Sequence, residues 1–267
     1  MHAGTGGRIA AVVLSIVAAT VMAAAWTGRG ETQKDEPKPL QSASRETGDA
    51  TRKERRNKPW PTRSPKPVSN ELSLTSEGGP KAVNITIDDG PHPQFTPQML
   101  DVLEEYGARA TFCVVGTQAR RHPELVKRIV AEGHRLCNHS DSHDSTMDRK
   151  SKSYQEKEVL DAARTILKAS GGVPATYYRA PGGAFTPYSR KLAAHHGMRP
   201  LGWNVDPRDW DLPGVDAIVR TVKSQLANGP TVLLHDGGGE RAQSVEALRR
   251  LLPWLKKHGY SFGFPAR

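Results

Sequence analysis

From residue 81 onward the chain repeats one pattern: a short apolar run, a turn, a longer amphipathic stretch, another turn. The apolar runs fall at 82–87, 110–115, 134–138, 175–179, 198–205, 230–235 and 260–264. Their length and residue types predict strands. Stretches 97–106, 122–132, 153–169, 187–196, 214–227 and 242–258 carry the helical period. Pro97, Pro123, Pro187 and Pro213 stand where helices begin, and Gly107, Gly133, Gly171, Gly197, Gly229 and Gly259 where they end. This alternation predicts an α/β domain of about seven parallel strands, as a barrel or a doubly wound sheet.

The polar residues favour the barrel. The predicted strands end in Asp88-Asp89, His139, Arg179, Asp206 to Asp209, and His235. In a parallel barrel the carboxyl ends of all strands converge on one face, which carries the active site. Asp, His, Arg, Asp and His delivered to one rim by five strands is a chemical pattern rather than scatter.

The front of the chain behaves differently. Residues 9–25 form an uncharged apolar run of 17 residues behind Arg8, with Ala23, Ala24 and Ala25 offering a cleavage site. Residues 1–26 therefore read as an export signal, either cleaved or kept as a membrane anchor. No cysteine lies nearby to carry a lipid. Residues 27–80 hold seven prolines and few large apolar side chains, so they read as a disordered linker. This segment helps explain a mean hydropathy of −0.58 and a hydrophobic content of only 36%. It leaves residues 81–267 as a single domain.

The net charge is +10, of which about +6 falls on residues 81–267. In an exported protein that suits a polyanionic envelope, or simply a soluble basic surface. No dense Lys/Arg stripe is interleaved with aromatics, so nucleic acid is not the expected partner. Cys113 and Cys137, the only two cysteines, fall in successive predicted strands. A disulfide and two buried thiols both remain open.

Taken singly, the candidate motifs are modest. Asp-Gly after a strand is often only a turn, and Leu233-Leu234-His235 could end a strand in an ordinary core histidine. Arg179 to Gly183 could be a surface turn, and Asp206 to Trp210 a loop. His139 and His143 are spaced so that a helix would bring both imidazoles to one side, with Asp141, Asp144 and Asp148 as possible competing ligands. Two adjacent carboxylates at the end of a buried strand are, however, costly unless something neutralises them. One Asp with two His would hold a divalent cation and leave a position open, as hydrolytic metal sites do.

In this order, Thr86–Gly90, His139–His143, Arg179–Gly183, Asp206–Trp210 and Leu233–His235 resemble the five motifs of the polysaccharide deacetylases of carbohydrate esterase family 4, the NodB-homology domain. The resemblance spans essentially all of 81–267. It implies a distorted (β/α) barrel and metal-dependent removal of acetyl groups from sugar polymers. By motif position Asp88 would be the general base, with Asp89, His139 and His143 as metal ligands. His235 would be the general acid, Arg179 would orient Asp88, and Asp209 would pair with His235. The Gly182 N–H would help hold the oxyanion, while Trp210 and Leu233 would cup the acetyl methyl group. Ser140 and Ser142 would be turn or capping groups.

Two positions depart from the family pattern: Ile87 stands where Phe is usual, and Gly182 where many members have Tyr. The first is a packing change; the second bears on how the sugar is gripped. The expected cofactor is Zn²⁺, with Co²⁺ or another divalent ion as alternatives. The expected substrate is a cell-wall or extracellular glycan, peptidoglycan first and chitin-type oligomers second, handled by a monomer. An acetylxylan O-deacetylase and a catalytically silent wall-binding protein are the rival readings.

Overall fold

The computed structural model describes residues 66–267. The expected export segment and residues 27–65 of the expected linker lie outside the described residues. Among the described residues no helix is long and apolar enough to cross a membrane.

Among the described residues, seven parallel strands form one curled sheet. In chain order they are β1 (Ala82–Asp88), β2 (Ala110–Val114), β3 (Arg135–Asn138), β4 (Tyr177–Tyr178), β5 (Arg199–Pro200), β6 (Thr231–His235) and β7 (Ser261–Phe262). Their spatial order is β5-β4-β3-β2-β1-β6, with β7 beside the start of β1. β1 is buried along its whole length, as a central strand covered on both faces must be. Its register sets Asp88 opposite Cys113 on one side and His235 on the other.

The helices are α1 (Phe95–Glu105), α2 (Gly116–Arg121), α3 (Pro123–Ala131), α4 (Lys152–Ala169), α5 (Pro187–His195), α6 (Val215–Gln225) and α7 (Ala242–Lys257). They turn apolar faces to the sheet: Met99, Leu100 and Leu103 from α1, and Leu248, Leu251, Leu252 and Leu255 from α7, are fully buried. Pro123 and Pro187 open α3 and α5 as expected, and Thr186 adds a capping box with Ser189. The short α2 was not expected from the sequence; it lacks a three-turn period to announce it. Ile87, in the family's Phe position, is fully buried in the main core.

Two sequence expectations change. The strand expected over 198–205 is broken. Residues 199–200 pair with β4, Leu201 bridges Ser73, and Val205 bridges Val232 of β6. One segment thus leaves β4 and reaches the opposite edge of the sheet, drawing it toward a barrel that no continuous ladder closes. The end of the linker is also misplaced, because residues 73–77 belong to the fold. Ser73 N donates to Pro200 O at 2.8 Å, Gly202 N to Ser73 O at 3.1 Å, Glu77 N to Phe264 O at 2.9 Å and Ala266 N to Thr75 O at 3.0 Å. This segment is held mainly by backbone pairing, so its polar composition concealed it.

Cys113 and Cys137 stand opposite each other on β2 and β3 and form a disulfide. Closing a loop with a sequence separation of 24 is worth roughly 3–4 kcal/mol in a chain-entropy account.

Candidate active site

Nine of the ten residues singled out from the sequence line one cleft of about 410 Å³ at the carboxyl ends of the strands: Asp88, Asp89, His139, His143, Arg179, Gly182, Trp210, Leu233 and His235. Asp209 is fully buried behind His235.

Asp88 closes β1, and Asp89 steps off it with φ 78°. Such a backbone costs a non-glycine residue about 1–3 kcal/mol and persists only where the surroundings impose it. His139 follows β3. The segment to His143 is not the helical turn that the spacing allowed; it is a loop with Ser140 and His143 both at φ 62°. Ser140 Oγ accepts from His143 N at 3.0 Å, and Asn138 Oδ1 from Ser140 N at 2.9 Å. Glu158 of α4 takes the N–H groups of Asp141 and Ser142 and the Ser142 hydroxyl. The loop, rather than a helix, brings the rings to a centroid separation of 4.9 Å.

Asp89 Oδ1 lies 3.3 Å from His139 Nε2 and 3.0 Å from His143 Nε2. It is buried and accepts no well-directed hydrogen bond among the described residues. His139 Nδ1 is 2.8 Å from the Arg179 carbonyl, so Nδ1 carries a proton there and Nε2 is the ring nitrogen that faces Asp89. That outer hydrogen bond is the usual way a ligating imidazole is oriented. Ligand atoms about 2.0–2.2 Å from a common ion in tetrahedral array stand roughly 3.3–3.5 Å apart. The cluster, with its orphaned oxygen and all ligand atoms within 4.8 Å of one another, fits a three-ligand cation site. Asp141 is instead paired with Arg120 at 2.7 Å, and Asp144 accepts from Thr146 and Tyr154.

Burial pushes the Asp89 carboxyl up, but the two imidazoles outweigh it and hold the group well below the usual carboxylate range. Burial lowers His143, whereas Asp89 and Asp88 more than offset it and raise the ring above its ordinary value. A cation would take the place of those protons.

Asp88 is held by Arg179, which is 1% exposed. Nη1 donates to Asp88 Oδ1 at 2.7 Å and to Thr86 Oγ1 at 3.0 Å, Nε to Leu201 O, and Nη2 to Gly202 O. Asp88 Oδ2 remains toward the cluster, 3.6 Å from His139 Nε2. Across the cleft, His235 Nδ1 is 2.7 Å from Asp209 Oδ1, while Asp209 Oδ2 accepts from His235 N and Ser244 Oγ. Burial disfavours the charged His235 ring. The hydrogen bond to Asp209 and the charges of Asp209, Asp88 and Asp89 outweigh it and lift the ring to about 9.

The third wall is apolar. Trp210 is 44% exposed and carries Arg208 over its ring at 4.9 Å; Leu233 is buried. Trp203, missed in the sequence, joins them. Its ring lies 5.5 Å from the Arg179 guanidinium and would meet a Cβ on Gly183 at 2.9 Å. Gly182 has φ 58° and no backbone acceptor for its N–H among the described residues. The supporting Glu158, Ser244 and Arg241 were also missed. Each sits on or beside a helix; Glu158 and Ser244 are far in sequence from what they bond, and Arg241 holds the carbonyls of Gly237 and Glu240 just before its own helix. Asp236 had a signal, its adjacency to His235. Its carboxyl is fully buried and pushed to about 7 by burial and by Asp89 and Asp88, against a lowering hydrogen bond from Thr96.

Comparison with known proteins decides what this geometry belongs to. The polysaccharide deacetylase pattern matches residues 75–201. A peptidoglycan-N-acetylglucosamine deacetylase of Bacillus cereus is 41% identical over 187 residues, covering 68% of this chain and 85% of its own. This chain belongs to the polysaccharide deacetylase family. A chitooligosaccharide deacetylase of Sinorhizobium fredii is 40% identical over 194 residues, 68% of this chain and 89% of its own. Among solved structures, the Bc1960 peptidoglycan N-acetylglucosamine deacetylase superposes with a TM-score of 0.67 at 29% identity, covering 72% of this chain and 89% of that one. The distorted (β/α) barrel and the assignment as a polysaccharide deacetylase, a hydrolase, follow.

Proposed function

We propose that this deacetylase hydrolyses N-acetyl groups of N-acetylglucosamine residues in an extracellular glycan, peptidoglycan first and chitin-type oligomers second, with a divalent cation held by Asp89, His139 and His143. The observation that carries the reading is one cleft that holds an incomplete three-ligand cluster between a tethered carboxylate and a tethered imidazole. The O, N, N donor set suits Zn²⁺, and Co²⁺ fits the same chemistry.

The cation supplies Lewis acidity toward the acetyl carbonyl and lowers the pKa of water. The protein's own groups do the rest. Arg179 fixes Asp88 through one oxygen, which leaves Oδ2 to take a proton from attacking water. The Gly182 N–H offers a donor to charge that develops on the carbonyl oxygen. His235, whose charged form Asp209 favours and which Asp209 orients through Nδ1, presents Nε2 to give the departing amine its proton. Trp210, Leu233 and Trp203 exclude water around a methyl-sized group. Such a contact is worth about 1–3 kcal/mol of discrimination.

The apolar segment 9–25 and the Cys113–Cys137 disulfide support export to an oxidising compartment, cleaved or tethered. The protein would act there as a monomer. The deciding assay is acetate release from peptidoglycan, chitin oligomers and acetylxylan after metal stripping and re-addition. The expected result is metal-restored release from the first two. Release from acetylxylan alone would favour the O-deacetylase, and glycan binding without release the silent wall protein.

A further inference from the structure

The loop after β6, Gly237-Gly238-Gly239, lies directly on Asp89. A Cβ on Gly237 would stand 2.4 Å from the Asp89 carbonyl oxygen, and one on Gly238 would stand 2.7 Å from Asp89 Oδ2. The loop therefore touches both the backbone and the carboxylate of that residue, and only glycine permits the approach. Three glycines in a row have little preference for any one shape. Here the shape comes from Arg241, which is 4% exposed. Its Nε donates to the Gly237 carbonyl at 2.8 Å and its Nη1 to the Glu240 carbonyl at 2.7 Å. The sheet ladder steadies the neighbouring Asp88, whose carbonyl accepts from Asp236 N at 3.0 Å. Asp89 lies one residue beyond the end of β1, at φ 78°, and needs an external brace to stay there.

We propose that Arg241 is a positioning residue for Asp89: it braces the glycine loop, which holds the carboxylate where it meets His139 and His143. This inference rests on the cation reading of the cluster. Arg241 also lines the cleft, so the competing role is direct contact with the sugar.

Two variants separate these roles. Arg241→Ala removes both hydrogen bonds to the loop; Gly238→Ala places a methyl group against Asp89 Oδ2. The zinc dissociation constant of the stripped full-length protein is measured by competition with a chromophoric chelator, with folding checked by circular dichroism. Both variants should bind zinc about 10–100-fold more weakly than wild type, the range for residues that orient metal ligands. Deleting a positive charge beside a cation would by itself tighten binding, so a loss in Arg241→Ala reports geometry. Wild-type zinc affinity in folded Arg241→Ala overturns the proposal, all the more if KM rises, which would place the side chain on substrate. If that variant does not fold, Gly238→Ala decides in its place. Zinc binding absent from the wild type itself would defeat the cation reading instead.

Discussion

The two sides of the cleft are built to opposite standards. On the His235 side every requirement is met within the protein: Asp209 is fully buried and accepts from the His235 ring, the His235 backbone and Ser244. On the Asp89 side a buried oxygen accepts no well-directed hydrogen bond among the described residues, and two of the three candidate ligands, Asp89 and His143, have left-handed backbones. Buried polar groups without partners are rare because each costs about 1–3 kcal/mol. One side is a finished hydrogen-bond network; the other is a carboxylate and two imidazoles that the proposed cation would complete. The difference teaches where each kind of substitution will act.

The sharpest way to break this contrast is His139→Ala. It should abolish stoichiometric metal in the purified protein, and activity with it; full zinc occupancy by elemental analysis would refute the ligand assignment. His235→Ala should do the reverse, keeping the metal while losing roughly 10²–10⁴ in rate. Undiminished acetate release from that variant removes His235 from the reaction.

A pH series sharpens the comparison further. With the folded His235 lifted to about 9 from 6.5, the folded state of metal-free protein binds the extra proton between those values. Its contribution to stability is complete below about 6.5 and is lost as pH rises through about 9. Urea midpoints of stripped protein should fall across that window. Zinc loading should move the fall to lower pH, because a cation beside Asp88 and Asp89 repels the imidazolium. The smallest effect is expected from Ser244→Ala, which removes one of three hydrogen bonds to Asp209 and should cost about 1 kcal/mol by urea denaturation, with metal content unchanged.

The legible parts of the site were those where one residue type has few bland explanations. Two acids ending a buried strand, and polar residues recurring at strand ends, place Asp88, Asp89, His139, Arg179 and His235 on one rim from the sequence alone. Helix starts at Pro123 and Pro187 were equally plain, because proline at the first helical position has a local cause. Residues 73–77 were not legible, since backbone pairing leaves no mark in composition. The spacing of His139 and His143 suits a helix, yet Ser140, Asn138 and Glu158 impose a loop. The role of Arg241 was invisible, because a side chain bonded to nearby carbonyls looks like any surface arginine until its burial is known.

By itself the sequence determined the alternation of strands and helices, the face on which chemistry would gather, and the types of side chain there. These follow from periodicity and from the cost of burying charge, both local properties of the chain. Only the tertiary structure decided that the 198–205 strand breaks to reach β6, that the cysteines pair, and that Asp89 is pressed into a left-handed backbone beneath a glycine loop. Those outcomes depend on contacts between residues far apart in sequence, where the energy of an arrangement belongs to the neighbours and not to the residue.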